Sequence, residues 1–426
     1  MTQAPSDDLA ARRAALTLLE AALDRRGGID EAAAAGPLKA LDARDRAFAR
    51  ALTLSTLRRL GHIDRLLSPK LNRDPPPRVR NLLRLGVAQL FWFDTPDHAA
   101  VSTSVEIADR DKGTRAFKGL VNAVLRGLLR DGPPADDPQA LCPPWLFARW
   151  TNAWGPEAAR AIAAEIANEP ATDLTVRSGD DIELLTAQME AVALPGGTVR
   201  VTQRGDVAQW PGFAEGRWWV QDAAAAIPAR LLHTNAEQTA LDLCAAPGGK
   251  TLQLAASGAA TVAVDRSEER LKRVAENLAR MSLTAEVVAA DAARWEDPRT
   301  FDAVLLDAPC SATGTFRRHP DVLWAASPTD IAKLAAVQSR LLDSAATRTA
   351  PGGRLVYCVC SLEPEEGEAQ VRAFLARNTD FETDPCAEGE GGAPAASLTR
   401  EGWLRLLPHQ REGGQDGFFA ARLRRR

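Results

Sequence analysis

The chain is poor in several residues that usually direct a functional reading. Its 426 positions hold six cysteines, five histidines, one tyrosine and only seven lysines among 52 basic residues. Cys142, Cys244, Cys310, Cys358, Cys360 and Cys386 are too sparse for a disulfide framework, so a reducing cytoplasm is the expected compartment. No His/Cys cluster has zinc-ligand spacing, and Cys358 with Cys360 cannot supply four ligands, so no metal is expected. No apolar run approaches the length of a membrane span, and Asp8, Arg12 and Arg13 break the N-terminal stretch that a signal peptide needs. A membrane partner is therefore not expected. Net charge is only −4, so the chain as a whole is no polybasic binder.

What is present is ordinary in bulk and uneven in distribution. Hydrophobic content of 45% and charged content of 25% suit a soluble globular protein, and the length suits two or three domains. From Arg44 to Arg130 there are 17 Lys/Arg against 8 Asp/Glu, a local excess of 17 − 8 = 9 positive charges. That excess suggests an anionic partner for this segment.

Residues 9–130 read as helix throughout. Leu9, Leu16, Leu19 and Leu23 recur at helical spacing, and Gly27-Gly28 should stop that helix. Leu54, Leu57 and Leu60–Ile63 continue the pattern, and Pro75-Pro76-Pro77 breaks it. Val79, Leu82, Leu83, Leu85 and Leu90 mark an apolar helix; Val101, Val105 and Ala108 mark another. Phe117, Leu120, Val121, Val124, Leu125 and Leu128 mark the last. This is a helical bundle, with Arg58, Arg59, Arg65, Arg78, Arg80, Arg84, Lys112, Arg115, Lys118 and Arg126 expected on its polar faces. Asp131–Pro138 is a linker by composition.

The pattern then changes. Pro144–Ile166 reads as helices that carry Trp145, Trp150 and Trp154, whose expected place is a core rather than a base-stacking surface. Leu174–Arg177, Thr198–Val201 and Arg217–Val220 read as strands, and Glu183–Val192 reads as helix. Beyond Ala223, apolar strands alternate with amphipathic helices. The strands are Thr239–Leu243, Thr261–Val264, Glu286–Ala289, Phe301–Leu306 and Arg354–Tyr357. Glu268–Met281 is a helix capped by Ser267; another opens at Ser327-Pro328 and should close at Gly352-Gly353. Leu404–Leu406 and Phe418–Leu423 read as a closing antiparallel hairpin. The fold class is thus multidomain: a helical bundle over 1–137, a small α+β module over 138–222, and a doubly wound, Rossmann-like α/β domain over 223–426.

Ligands of such sheets sit at the carboxyl ends of the strands, and chemistry-bearing residues collect there. Strand Thr239–Leu243 runs into Cys244-Ala245-Ala246-Pro247-Gly248-Gly249-Lys250, a glycine turn that opens a helix. Its spacing fits neither G-x-G-x-x-G nor the phosphate loop. The next strands end at Asp265, suited to the hydroxyls of a ribose, and near Asp291, suited to an adenine amino group. The fourth runs into Asp307-Ala-Pro-Cys310-Ser311, the fifth into Tyr357-Cys-Val-Cys360-Ser361. Cys310 and Cys360 both lie past a strand end and are both followed by serine. A thiolate there is a soft nucleophile able to add to the C=C bond of a pyrimidine.

These residues resemble the RNA cytosine-C5 methyltransferases that use S-adenosylmethionine, and the order of pieces resembles the bacterial RsmB (Sun or Fmu) type that acts on 16S rRNA. The likeness rests on Cys244–Lys250, on Asp307–Ser311 with its extension to Trp324, on Cys360-Ser361 followed by Pro364-Glu365-Glu366, and on Asp416–Phe419. The N-terminal segment is similar to the NusB-type RNA-binding bundle, and the α+β module to the family's small RNA-contacting domain. The resemblance implies a cofactor, S-adenosylmethionine, held by Cys244–Lys250, Asp265, Arg270, Asp291 and Asp307. It implies Cys360 as the nucleophile that adds to carbon 6, Asp307 as the contact to ring nitrogen 3, and Cys310 as the base that releases the product. It implies an RNA partner presenting a single-stranded or flipped cytosine, no DNA partner, and a monomer. Cys358 departs from the family, which often has alanine there. Two other readings are methylation of a different RNA such as tRNA, and a NusB-like adaptor with a vestigial cofactor site.

Overall fold

Leucine spacing decides the first part of the chain and buried parallel strands decide the last. The computed structural model describes residues 8–24, 28–34 and 36–426. The expected helix stop at Gly27 and the first seven residues of the expected bundle lie outside them. The elements, in order, are α1 (Asp8–Leu23), α2 (Gly28–Ala34), α3 (Ala43–Arg58), α4 (Leu60–Leu67), α5 (Pro77–Phe91), α6 (Asp97–Arg110), α7 (Lys118–Asp131), α8 (Pro144–Trp154) and α9 (Pro156–Ala164). There follow β1 (Thr172–Val176), α10 (Asp180–Gln188), β2 (Ala191–Leu194), β3 (Thr198–Val201), β4 (Trp218–Val220), α11 (Ala223–Arg230), β5 (Thr239–Leu243), α12 (Gly249–Ala256), β6 (Ala260–Asp265) and α13 (Glu268–Arg280). The remainder is β7 (Glu286–Ala289), β8 (Phe301–Asp307), α14 (Val322–Ala325), α15 (Pro328–Arg348), β9 (Thr349–Val359), α16 (Glu368–Arg377), β10 (Phe381–Thr383), β11 (Leu404–Leu406) and β12 (Phe418–Arg425).

The chain forms two compact units, one of residues up to Glu169 together with Phe316–Ala325, the other of Pro170–Thr315 together with Ala326–Arg426. The first unit is helical. Leu16, Leu19, Leu52, Leu57, Ile63, Leu83 and Leu125 meet in its core, all fully buried. Trp150 is fully buried and packs on Phe316, their ring centroids 6.0 Å apart, which puts this tryptophan in the core as expected. Several basic residues of this unit are matched by carboxylates. Arg65 pairs with Asp137, Arg78 with Glu20 and Asp111, Arg84 with Asp64, and Lys118 with Asp109. Arg58 corrects the sequence reading. It is buried, not on a polar face, and its guanidinium donates to the carbonyls of Asn168 and Arg317. Burial pulls it down to about 10.

The second unit holds both sheets. The smaller is antiparallel in the order β2-β3-β1-β4. Its β2 corrects a sequence reading: the helix expected to reach Val192 ends at Gln188, because Ala191–Leu194 pair with β3 instead. Cross-strand pairing overrides local helix propensity there. The larger sheet runs β10-β12-β9-β8-β5-β6-β7, with β11 on β12. Pairs among β5 to β9 are parallel, whereas β12 is antiparallel to β9, β10 and β11. Buried on both faces, β5, β6 and β8 read as near-continuous apolar runs. β5 has β6 and β7 on one side and β8 and β9 on the other, so the switch point lies at its carboxyl end. Gly352-Gly353 do not close α15. That helix ends at Arg348, and the glycines lie in an irregularity of β9, where register passes from Thr349 to Arg354. Gly352 has φ +77°, and a Cβ on Gly353 would stand 2.8 Å from the carbonyl oxygen of Ala350.

Candidate active site

The glycine turn is shaped by backbone before any ligand is considered. Gly248 has φ +105°, and a Cβ there would press on Val274 of α13 at 3.2 Å, so the turn needs glycine. Cys244 also has positive φ, at +62°. Asp265, at the end of β6, is buried and braces this turn: its carboxylate accepts from the N–H of Ala246 at 3.1 Å and of Ser267 at 2.9 Å. Arg270 is exposed, and its guanidinium donates to the carbonyl of Ala246. Asp291 is exposed past β7, where one oxygen accepts from Ala293 N–H at 3.0 Å. Pro247 lies exposed at the tip; Ala245 and Ala246 are buried beneath.

Lys250 reaches back from α12 under the sheet rim. Its ammonium donates to Asp307 Oδ2 at 2.7 Å and lies 5.2 Å from the Phe418 ring. Burial works against its charge, yet Asp307, Cys358 and Cys360 hold it above the ordinary lysine value. Cys358 is fully buried and pairs in register with Asp307 across β8 and β9; its thiol donates to Asp307 Oδ1 at 3.5 Å. Burial pushes the Cys358 thiol up, so it stays a neutral donor. The two oxygens of Asp307 are thus held by two residues, with its side chain still 29% exposed toward the rim.

Cys310 and Cys360 meet. Their Sγ atoms stand 3.4 Å apart, both residues half-buried at the ends of β8 and β9. The hydrogen bond to Cys360, then burial, then the charges of Cys360 and Glu366 hold the Cys310 thiol well above the ordinary thiol range. Cys310 is therefore held as a neutral thiol. Cys244, half-buried, is also pushed up by burial, with the carboxylates around it adding to the effect.

Sequence reasoning passed over two carboxylates here. Asp242 is fully buried inside β5. Its Oδ2 accepts from Thr251 Oγ1 at 2.6 Å, and its Oδ1 is buried without a hydrogen-bond partner among the described residues. The signal was a carboxylate inside an otherwise apolar strand. Glu366 is likewise fully buried, and accepts from the serine after each cysteine. Its only signal was its place in the Pro364-Glu365-Glu366 run.

S-adenosylmethionine carries a ribose diol, an adenine amino group and an ammonium, all donors that need acceptors in a close backbone cradle. Asp242, Asp265, Asp291 and Asp307, at or just past the ends of β5, β6, β7 and β8, supply acceptors, and Gly248 with Gly249 supplies the cradle. The Oδ1 of Asp242, without a hydrogen-bond partner among the described residues, can accept one further hydrogen bond. The residues fit the group.

Burial pushes Asp242 up to about 7, against the opposing hydrogen bond from Thr251 and with the charge of Asp307 adding to the rise. A raised carboxyl binds its proton more tightly folded than unfolded, so stability falls as pH rises between the two pKa values. For Asp242 that window runs from about 4, the unfolded value, to about 7. Asp242→Asn keeps an acceptor for Thr251 and removes the titration. Denaturant unfolding of the wild type and this variant is expected to give a stability difference that moves in the variant's favour from pH 4 to pH 7 and levels off above. A difference constant across that range would refute the assignment.

Comparison with known proteins adds independent findings. Residues 9–130 match the NusB family, and residues 229–424 match the family described as 16S rRNA methyltransferase RsmB/F. The ribosomal RNA small subunit methyltransferase B of Pseudomonas syringae pv. tomato is 40% identical, over 91% of this chain and 90% of its own. That of Pseudomonas putida is 38% identical, over 97% of this chain and 98% of its own. Among solved structures, a methyltransferase homolog protein from Pyrococcus horikoshii aligns with TM-score 0.57 and 29% identity, over 66% of this chain and 95% of its own.

Proposed function

This chain belongs to the 16S rRNA methyltransferase RsmB/F family, and from that membership we propose the chemistry of its two rim cysteines. It is an S-adenosylmethionine-dependent rRNA methyltransferase; the atom methylated, in our reading, is carbon 5 of one cytosine. The observation that carries this reading is the 3.4 Å separation of Cys310 Sγ and Cys360 Sγ beside the Lys250–Asp307 pair.

Carbon 5 of cytosine is a poor nucleophile. The Cys360 thiolate adds to carbon 6, and the ring electrons move toward nitrogen 3, which Asp307 holds or protonates with a proton passed on from the Lys250 ammonium bonded to it. The ring is then an enamine, nucleophilic at carbon 5. The cofactor supplies an electrophilic sulfonium methyl group, held by residues Cys244–Lys250, Asp265, Arg270, Asp291 and Asp307. Cys310, whose thiol proton passes to water once Cys360 is bonded to carbon 6, next takes the proton from carbon 5 as a thiolate, the C6–S bond breaks, and Cys360 leaves as the thiolate that entered. The proton placed on nitrogen 3 returns to Asp307.

Cys310 must be protonated early and basic late. Its largest upward cause is the neighbouring Cys360. Once the Cys360 sulfur is bonded to carbon 6 it carries no charge and accepts no strong hydrogen bond. That hold on Cys310 then ends, at the step where a base is needed.

Two sulfurs must reach adjacent ring atoms, so the cytosine is single-stranded or flipped out, at a cost of roughly a few kcal/mol. We assign RNA contact to residues 1–137 and 138–222 and catalysis to 223–426, in a monomer working in the cytoplasm, where thiols stay reduced. Among the described residues no helix is long and apolar enough to cross a membrane. The test is methylation mapping of total RNA from cells with and without the gene. One 5-methylcytosine of 16S rRNA should disappear, return with the wild type, and stay absent with Cys360→Ala. Loss from tRNA alone would favour the other RNA; no loss anywhere would favour an adaptor.

A further inference from the structure

Glu366 has no part in the scheme above, yet it is a heavily bonded carboxylate at the rim. It is fully buried, in the turn between β9 and α16. Its Oε1 accepts from the backbone N–H of Ser311 at 2.9 Å and from Gln338 Nε2 at 3.1 Å. Its Oε2 accepts from Ser311 Oγ and from Ser361 Oγ, each at 2.5 Å. Ser311 follows Cys310, and Ser361 follows Cys360. One carboxylate therefore grips the residue after each cysteine.

The surroundings stiffen that grip. Gln338 Nε2 also donates to the carbonyl of Pro309 at 2.9 Å, so Cys310 is fixed on both sides. The Tyr357 hydroxyl, the chain's only phenol, donates to the carbonyl of Glu366 at 2.6 Å and pins the carboxylate's own backbone. Arg405, held by Glu368 at 2.9 and 2.6 Å, donates to the carbonyl of Ser361 at 2.6 Å. A buried carboxylate met by four donors is kept because those donors are fixed, and charge-assisted bonds of this kind are the strong ones.

We propose that Glu366 is a positioning residue, a clamp across the Cys310 and Cys360 loops that sets their thiols at contact distance. The inference rests on the reading that these thiols are base and nucleophile, but its geometry does not. Addition needs Cys360 alone, whereas release needs Cys310 at carbon 5 while Cys360 is still bonded to carbon 6. A loosened clamp should therefore slow release more than addition.

The chemistry of the four donors says which substitution rescues. The Ser311 N–H and the Gln338 NH₂ group can only donate, so they need an oxygen at the Oε1 position. The two hydroxyls can donate or accept, so they tolerate an NH₂ group at the Oε2 position. Glu366→Gln can satisfy all four groups; Glu366→Ala leaves the Ser311 N–H without its acceptor and removes the one group that ties Ser311, Gln338 and Ser361 together.

The test is thiol bridging in the full chain, without RNA or cofactor, by a bifunctional alkylating fluorophore that emits only after joining two thiols, with Cys310→Ala as the blank. Glu366→Gln should bridge within about threefold of the wild-type rate, and Glu366→Ala should be slower by roughly tenfold or more. With RNA and cofactor, Glu366→Ala should also accumulate a covalent RNA complex that Glu366→Gln does not. If Glu366→Ala bridges at the wild-type rate, or Glu366→Gln is as slow as Glu366→Ala, there is no clamp. Should Glu366→Ala fail to fold, Ser361→Ala is read instead: a fall of roughly threefold supports the clamp, and an unchanged rate overturns it. Slow bridging in Glu366→Ala together with normal methylation by Cys360→Ala would keep the clamp and remove the functional reading.

Discussion

Replacing Cys310 by alanine is expected to leave the protein covalently attached to its RNA. Cys360 would still add to carbon 6 and carbon 5 would still be methylated, but no group would remain at 3.4 Å from the attacking sulfur to take the carbon 5 proton. Turnover should fall by roughly 10²–10⁴-fold, the usual worth of a positioned base. The adduct should survive a denaturing gel as a protein band that carries RNA. Cys360→Ala should give the opposite pattern, no adduct and turnover lower by roughly 10⁴-fold or more, as expected when a nucleophile is removed. The double variant should match Cys360→Ala, because the release step never arises. Folding should hardly matter: Cys310 is half-buried, and trimming one sulfur there should cost no more than about 1 kcal/mol. An adduct with Cys360→Ala and none with Cys310→Ala would exchange the two roles. Normal turnover by Cys310→Ala without adduct would deny Cys310 any role in release.

How much of this was open to reading from the residues depends on distance along the chain. The inner parallel strands were legible because burial on both faces writes them as apolar runs: Thr239–Leu243 ends where the sequence places it. Helices with a leucine stripe and a capping serine, such as α13 and α15, were equally plain. The Gly352-Gly353 pair misled, because glycine marks a helix end and a strand irregularity with the same letter, and only the facing backbone of β8 decides between them. Arg58 misled because its partners, the carbonyls of Asn168 and Arg317, are 110 and 259 residues away. Asp265 was legible as a carboxylate at a strand end, but not as a brace for the glycine turn, since its bond to Ala246 N–H needs β5 and β6 side by side. Glu366 was least legible. Its bonds join Ser311, Gln338 and Ser361, three segments that only the β8–β9 pairing and the packing of α15 bring together.

The Lys250–Asp307 pair should separate stability from chemistry more sharply than any single residue. The lysine side chain is 10% exposed and the carboxylate 29%, with 2.7 Å between their charged atoms. Lys250→Met strands a half-buried carboxylate, and should destabilise by about 3 kcal/mol, the lower end for breaking a buried pair because Asp307 keeps some water. Asp307→Asn leaves the ammonium facing an amide and should cost somewhat less. In the double variant no charge is stranded, so denaturant unfolding should show a coupling of about 1–3 kcal/mol and a return of most of the lost stability. Turnover should not return with it. An asparagine cannot supply or take back the proton that nitrogen 3 needs, so Asp307→Asn and the double variant should both turn over roughly 10²–10³-fold more slowly than the wild type. Stability restored without activity would mean that Asp307 works on the ring. If the double variant regained both, the carboxylate would be no more than the counter-ion of Lys250, and nitrogen 3 would have to be served by another group at the rim.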